Sequence, residues 1–378
     1  MKRTLYLLAL GVFGIGTTEF GVVGILPQIA VQFGVTINQA GWLLSAFAGV
    51  IAVGAPFITV AFAGRSRRQA LMAVLALFMV GNGLSAVAVN FPMLLVARVL
   101  PALGHPVFWS VALSVAATSV RQEEAPKAVG IVFGGFTIAS VLGVPLCTWV
   151  ADRYGWQAAF ILSGGVNAVS LLGLWLWLPE IPAREGVSYS WDIIRKPALW
   201  RQLSLAVLMI AAMYASYGYL AAYLDKVTGM DGRDISIMLL LFGVAGVGGN
   251  WLAGKLLSKS IHLTTISFIV MLALVHIGIY LAGASYGLMI VVIIIWGFIH
   301  TGGFLISNIN VTSVAKESPE LANAIFTSAG NLAVTIGATM GGAVIAGASV
   351  RNVIWASMAL LALAAIVWTW SAKKIILS

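Results

Sequence analysis

Two formally charged residues, Glu19 and Arg98, lie well inside long apolar segments of the chain. A charge near the centre of a bilayer costs about 2.5–3.5 kcal/mol even on lenient insertion scales, so each needs a partner or a wet cavity. Burial favours the neutral form of a carboxyl group, whereas a nearby arginine favours its charged form. We therefore interpret Glu19 and Arg98 as a protonation switch. A static ion pair that fixes helix packing is the alternative.

His105 follows Arg98 by seven residues, which is two helical turns, so the two share one helix face. Its imidazole can relay a proton or hydrogen-bond a hydroxylated solute. A histidine satisfied by a neighbouring helix is the alternative. Trp109 follows four residues later on nearly the same side and is a candidate for contact with that solute. His300, in a later apolar segment, is a further candidate of this kind.

Tyr214 and Tyr217 share one face of a predicted helix, while Tyr219 and Tyr223 share another. Aromatic rings stack on a sugar or a base and their hydroxyls bond to it, so we expect Tyr214 and Tyr217 to line a cavity. Tyr223, near the outer end, is expected in the aromatic belt at the membrane surface. Asn331 lies near the middle of another apolar segment. We expect it to touch substrate, although such amides commonly join helices instead.

Composition limits the class of protein. The chain has 378 residues, of which 61% are hydrophobic and 9% charged, whereas soluble domains carry roughly 25% charged residues. The natural solvent is therefore lipid, and we predict an all-α membrane protein. The basic residues lie between apolar runs, so the net charge of +9 does not indicate a nucleic-acid partner. Four scattered histidines and the single Cys147 lack metal-ligand spacing, so no metal, cofactor or enzyme activity is expected.

The apolar segments are long enough to cross the roughly 30 Å hydrocarbon core of a bilayer. We predict twelve transmembrane helices, near residues 4–26, 39–62, 69–89, 92–119, 126–150, 156–178, 202–224, 234–257, 261–283, 286–314, 320–348 and 351–371. Most lysines and arginines fall in alternate connections, which places both termini on the cytoplasmic side of a bacterial inner membrane. The polar segment 179–201 separates the chain into a first six-helix bundle (1–178) and a second (202–378), joined by a cytoplasmic linker. Such paired bundles enclose a central cavity.

Short motifs carry a resemblance to a known family. They are Gly-Thr-Thr-Glu-Phe at 16–20, Arg98, Gly-His-Pro-Val-Phe-Trp-Ser at 104–110, Gly-Val-Pro at 143–145 and Asp-Arg-Tyr-Gly-Trp-Gln at 152–157. Together they resemble the twelve-helix drug:proton antiporter branch of the major facilitator superfamily, in particular bacterial sugar efflux transporters and arabinose efflux permeases. Between the second and third spans the chain keeps Arg67 and Arg68 of the family's motif and lacks its aspartate.

The resemblance implies the major facilitator fold and a secondary active antiporter that works by alternating access. It implies export of sugars or similar small neutral solutes, driven by the proton gradient. We expect the chain to function as a monomer. It also implicates the span-four arginine, Arg98, in proton coupling. Purine nucleosides or chloramphenicol-type drugs are the alternative cargo. A non-transporting membrane sensor is the alternative of a different class, and it would need an appended signalling domain.

Overall fold

The computed structural model describes residues 2–63, 65–121, 125–181, 191–315 and 319–376. Much of the predicted linker, residues 182–190, lies outside this part of the chain. Within the described residues every regular element is helical, and 12 helical segments are long and apolar enough to cross a membrane. The predicted all-α fold with twelve spans is thereby confirmed.

The α-helices of the described chain follow one another with short connections. They are α1 (Lys2–Phe20), α2 (Leu26–Phe33), α3 (Ile37–Ala63), α4 (Arg67–Ala86), α5 (Phe91–Thr118), α6 (Ala125–Ile138), α7 (Val144–Tyr154), α8 (Trp156–Trp177), α9 (Pro197–Tyr217), α10 (Leu220–Tyr223), α11 (Gly232–Leu257), α12 (Ile261–Ala282), α13 (Tyr286–His300), α14 (Gly302–Ser313), α15 (Pro319–Gly347) and α16 (Ile354–Ile376). Five of them begin at a polar residue whose side chain accepts a hydrogen bond from the backbone N–H three residues later, which is the usual N-cap. These caps are Thr36, Ser66, Asn90, Asp231 and Ser260.

The helices form two compact units. The first contains Met1–Val35 and Val53–Val187, and the second contains Thr36–Ala52 and Ser188–Ser378. The beginning of α3 therefore belongs to the second unit. There the Thr335 hydroxyl of α15 lies 3.3 Å from the Ser45 carbonyl oxygen of α3.

Several spans contain short segments that are not α-helical, whereas the sequence predicted continuous helices, and the tenth breaks at Thr301 between α13 and α14. A 3₁₀ segment, Gly21–Ile25, joins α1 to α2, and π segments occupy Ala139–Gly143 and Leu224–Thr228. Proline lies at the start of the helices that follow the first two, Pro27 in α2 and Pro145 in α7. Proline has no N–H with which to continue the preceding helix. The first span nevertheless extends to Phe33, beyond the predicted end at residue 26.

In the second unit, α11 and α13 pack backbone to backbone. A Cβ atom added at Gly249 of α11 would overlap the carbonyl oxygen of Phe298, and one at Gly297 of α13 would overlap that of Phe242. Only glycine permits so close an approach, which is a common way for membrane helices to associate. The contact fixes the distance between the aromatic residues that these two helices carry.

Candidate functional site

The first unit buries an acid and a base together. Glu19 is the penultimate residue of α1, and its side chain and that of His105 on α5 are almost completely buried. The His105 Nε2 atom lies 3.0 Å from the Glu19 Oε2 atom. This distance is that of a hydrogen bond between the imidazole and the carboxyl group.

Arg98 contacts the same end of α1 through its guanidinium group. It donates one hydrogen bond to the Thr18 carbonyl oxygen and another, 3.2 Å long, to that of Glu19. These carbonyls belong to the last turn of α1, where the helix gives way to the 3₁₀ segment and carbonyls need other donors. The Arg98 charge also interacts with the Glu19 charge. The structure therefore brings Glu19, Arg98 and His105 together, and their role in proton coupling stays a prediction.

Two buried amides hold this end of α1 in place. The Asn82 Nδ2 atom of α4 donates to the Thr18 hydroxyl at 2.9 Å, and Asn167 Nδ2 of α8 lies 3.4 Å from the same oxygen. The Thr18 hydroxyl in turn donates to the Gly14 carbonyl oxygen at 2.8 Å. Sequence reasoning did not single out Asn167. It is an uncharged amide within an apolar span, so the search for formally charged residues that found Glu19 passed over it.

A small cavity lies beside these residues. Its volume is about 10 Å³ and its polar lining includes Thr17, Thr18, Cys147 and Ser163. That is close to the space that one buried water requires. The hydroxyls of Thr17, Thr18 and Ser163 thus reach the interior of the unit near the end of α1.

Trp109 is half-buried in the first unit and belongs to a group of aromatic rings. Its ring meets that of Phe136 edge-on at 5.2 Å and lies 5.5 Å from that of Phe133. Phe136 in turn packs at 6.0 Å against Phe20, the residue after Glu19. Trp109 is therefore linked through the Phe136 ring to Phe20, which follows Glu19 in the sequence.

The second unit brings three predicted substrate residues together. The Tyr217 ring of α9 lies 5.0 Å from the His300 ring of α13. Tyr214 lies 5.8 Å from Tyr217 and 6.2 Å from His300. All three side chains are buried, so the rings form one cluster inside the unit.

Further rings complete this cluster, and sequence reasoning missed them. Phe242 of α11 stacks on Tyr217 at 5.1 Å, and Trp296 of α13 meets Phe242 edge-on at 5.4 Å. Among the described residues, the His300 Nδ1 atom has no hydrogen-bond partner. A buried nitrogen without a partner is costly, which makes it a candidate to bind a ligand hydroxyl.

Other predicted positions lie apart from this cluster. The Asn331 amide donates to the Thr327 carbonyl oxygen in its own helix at 3.0 Å, and no described contact joins it to Tyr217 or His300. The placement of Tyr223 in the outer aromatic belt is wrong. Its side chain is 2% exposed, and its hydroxyl donates to the Ile279 carbonyl oxygen of α12 at 2.9 Å.

The comparisons with known proteins agree with this architecture. A sequence model of the Major Facilitator Superfamily matches residues 8–321. The chain belongs to the major facilitator superfamily. One relative, the inner membrane transport protein YdhP of Escherichia coli (strain K12), is 36% identical over 341 residues, which cover 89% of this chain and 87% of YdhP. A probable sugar efflux transporter of Helicobacter pylori (strain G27) is 28% identical, with 90% of this chain and 88% of that protein covered.

Solved structures of the superfamily share the fold. A bacterial homologue of the human lysosomal transporter Spinster superposes with a TM-score of 0.75 at 16% identity, over 99% of this chain and 98% of that one. A POT family transporter gives a TM-score of 0.80 at 12% identity, over 98% and 96%. Membership of the superfamily identifies the chain as a multi-pass membrane transporter rather than an enzyme.

Proposed function

We propose that the chain is a proton-coupled efflux transporter that exports sugars or similar small neutral solutes. The contact between Glu19 and His105, 3.0 Å long and buried within membrane-spanning helices, is the observation that most directly supports this function. Ionisable groups at this depth are expensive and usually serve ion or proton pathways. A carboxyl group and an imidazole group are both able to take up and release a proton.

Loading this proton changes the charge at the end of α1. The ionised Glu19 carboxylate balances the Arg98 guanidinium, and protonation removes that balance while the hydrogen bonds to the backbone carbonyls of Thr18 and Glu19 remain available. The altered charge lies directly before the 3₁₀ segment Gly21–Ile25. Proton binding therefore acts at the point where the first span is already discontinuous, as substrate and ion sites of transporters often are.

The aromatic cluster of the second unit fits an uncharged substrate. Among its described buried side chains there is no aspartate, glutamate, lysine or arginine. Tyr214, Tyr217 and Phe242 supply aromatic rings, the groups that commonly pack on the apolar face of a sugar, and His300 provides a polar anchor. Relatives named as sugar efflux transporters support the same class of cargo.

The loop charges support an orientation with both termini in the cytoplasm. The name of the relative YdhP supports the bacterial inner membrane as the location. We further propose that one chain suffices for transport, because each of the two candidate groups of residues is complete within one chain.

Transport by purified protein in liposomes tests this proposal. A pH-sensitive dye inside the vesicles reports proton movement when pentoses, hexoses, a purine nucleoside or chloramphenicol is added under an imposed pH gradient. We expect a sugar to move protons in the direction opposite to its own and to accumulate against its gradient. Absence of proton movement with every solute would contradict proton-coupled export, and a response to the nucleoside or to chloramphenicol alone would reassign the cargo.

Replacing His300 with phenylalanine is expected to weaken substrate binding about fivefold, the equivalent of one hydrogen bond. Phenylalanine keeps a ring in the cluster and removes the Nδ1 atom. Equilibrium binding of the transported solute measures the change. His262→Phe is the matched control, because that ring stacks on Trp368 at 4.2 Å, away from the cluster. Equal binding by the two variants would exclude His300 from the substrate site.

A further inference from the structure

An open groove runs along the surface of the first unit between α4 and α8. Its volume is about 500 Å³, and its lining includes Met72, Ala73 and Ala76 of α4 together with Ala168, Leu172 and Trp175 of α8. The lining side chains are all apolar, except that Trp175 carries one polar group, its indole N–H. Leu172 and Trp175 are 56% and 55% exposed. Because α4 and α8 are membrane-spanning segments, this exposed groove is open to lipid.

The groove has a polar end and an apolar end. Arg68 precedes Met72 and Ala76 by one and two turns on α4, so these three share a face. The Arg68 Nη2 atom donates to the Trp175 carbonyl oxygen near the end of α8 at 2.7 Å. The lining of the groove begins at Met72, one turn beyond Arg68, and Ala76 lies about 12 Å from Arg68 along α4, at roughly 1.5 Å per residue. The groove therefore leads from the level of the lipid headgroups into the hydrocarbon region. Trp175 lies at its headgroup end, and tryptophan is enriched at the membrane–water interface.

The polar end carries positive charge. Arg65, Arg67 and Arg68 fall within four residues. The Arg68 guanidinium lies 3.7 Å from a carboxylate oxygen of Glu180, and the Arg68 side chain is 27% exposed. This separation exceeds a hydrogen bond, and the glutamate is itself 55% exposed to solvent. The ion pair is therefore weak, and the guanidinium can accept a second anion.

We propose that this groove binds one anionic phospholipid, with an acyl chain between α4 and α8 and the phosphate at Arg68. The apolar lining matches a hydrocarbon chain, and the arginines complement a headgroup with net negative charge. Basic pockets between membrane helices bind such headgroups in this way. The lipid would connect the start of α4 to the end of α8 on the side that the loop charges predict to be cytoplasmic.

Lipid retention by the purified protein tests the site. The protein in detergent is exchanged into equal amounts of phosphatidylglycerol and phosphatidylcholine, and native mass spectrometry counts the lipids that remain bound. We expect one phosphatidylglycerol per chain to be preferred about fivefold, the contribution of one basic residue at a membrane surface. Arg68→Gln is expected to remove the preference. Lys259→Gln, which removes an exposed charge on the second unit, is expected to retain it.

Substitutions that fill the groove test whether an acyl chain binds between α4 and α8. Ala168→Trp is expected to lower retention of both lipids, whereas Val169→Trp is the matched control, because Val169 is exposed but does not line the groove. A photoactivatable acyl chain on phosphatidylglycerol is expected to label peptides containing Met72–Ala76 or Ala168–Trp175 in the unaltered protein. This measurement does not depend on any variant folding.

Several results would overturn the proposal. One is equal retention of the two lipids by the unaltered protein, and another is labelling spread evenly over all spans. Equal loss of lipid in Ala168→Trp and Val169→Trp would also do so. Competition by glycerol 3-phosphate at matched concentration would show that a free phosphate, rather than a lipid, occupies the arginine end.

Discussion

Replacing Glu19 with glutamine is expected to abolish the pH dependence of substrate affinity. Proton and substrate binding are reciprocally coupled, and such couplings typically change affinity by roughly 5- to 150-fold. In the unaltered protein we expect the affinity to change by such a factor with pH, and in Glu19→Gln we expect a flat profile. The glutamine amide is close to the carboxyl group in size and can still hydrogen-bond the His105 Nε2 atom, so the helix packing persists. Equilibrium binding of a transported solute from pH 5 to pH 8 measures the effect.

The control for this prediction is Glu180→Gln, which makes the same substitution at an exposed position. We expect its binding profile to follow that of the unaltered protein. Thermal unfolding of both variants in detergent separates a loss of coupling from a loss of structure. If the Glu19→Gln protein still changes its affinity with pH, Glu19 does not belong to the proton pathway. The alternative, a static ion pair of Glu19 and Arg98 that fixes helix packing, would then hold.

Replacing Gly249 with alanine is expected to destabilise the second unit by about 1–3 kcal/mol, the usual cost of overpacking. The added Cβ would overlap the Phe298 carbonyl oxygen, and a backbone atom cannot rotate away. The helices α11 and α13 must then separate, which also displaces Phe242 from the aromatic cluster. We therefore expect a lower unfolding temperature together with weaker substrate binding.

Gly254→Ala in the same helix is the matched control. A Cβ at Gly254 meets only the Leu305 Cδ2 atom, at 3.8 Å, which is an ordinary contact. Alanine also favours the helix over glycine by about 1 kcal/mol, so this variant is expected to be as stable as the parent or slightly more so. Equal unfolding temperatures for the two variants would show that α11 and α13 tolerate separation at Gly249.

The spans and the charged residues within them could be predicted because each is recognisable from the local sequence alone. Twenty apolar residues have few alternatives to crossing a bilayer, and Glu19 or Arg98 in such a stretch is conspicuous. Their arrangement could not be predicted in the same way. Counting residues along the helices places His105 about 10 Å deeper than Arg98. In the structure both reach the end of α1, since the long arginine side chain extends to the backbone carbonyls while the imidazole meets the carboxyl group.

The aromatic cluster shows a different limit. Tyr214, Tyr217 and His300 carry polar atoms that distinguish them from ordinary apolar residues. For Phe242 and Trp296 the sequence does not distinguish a ring in a buried cluster from a ring that faces lipid. Tyr223 was misplaced because the acceptor of its hydroxyl, the Ile279 carbonyl oxygen, belongs to another helix. No spacing along one span reveals a partner on the next.

A change in the 3₁₀ segment after Glu19 would rotate and shift the part of the first span that follows it. A 3₁₀ helix turns about 120° and rises about 2.0 Å per residue, against about 100° and 1.5 Å in an α-helix. Conversion of the five residues Gly21–Ile25 to α-helix would therefore turn α2 by about 100° relative to Glu19 and draw it about 2.5 Å closer. Such a conversion would re-aim the later part of the span, and the buried side chains of Leu26, Ile29 and Ala30 would then need new packing partners.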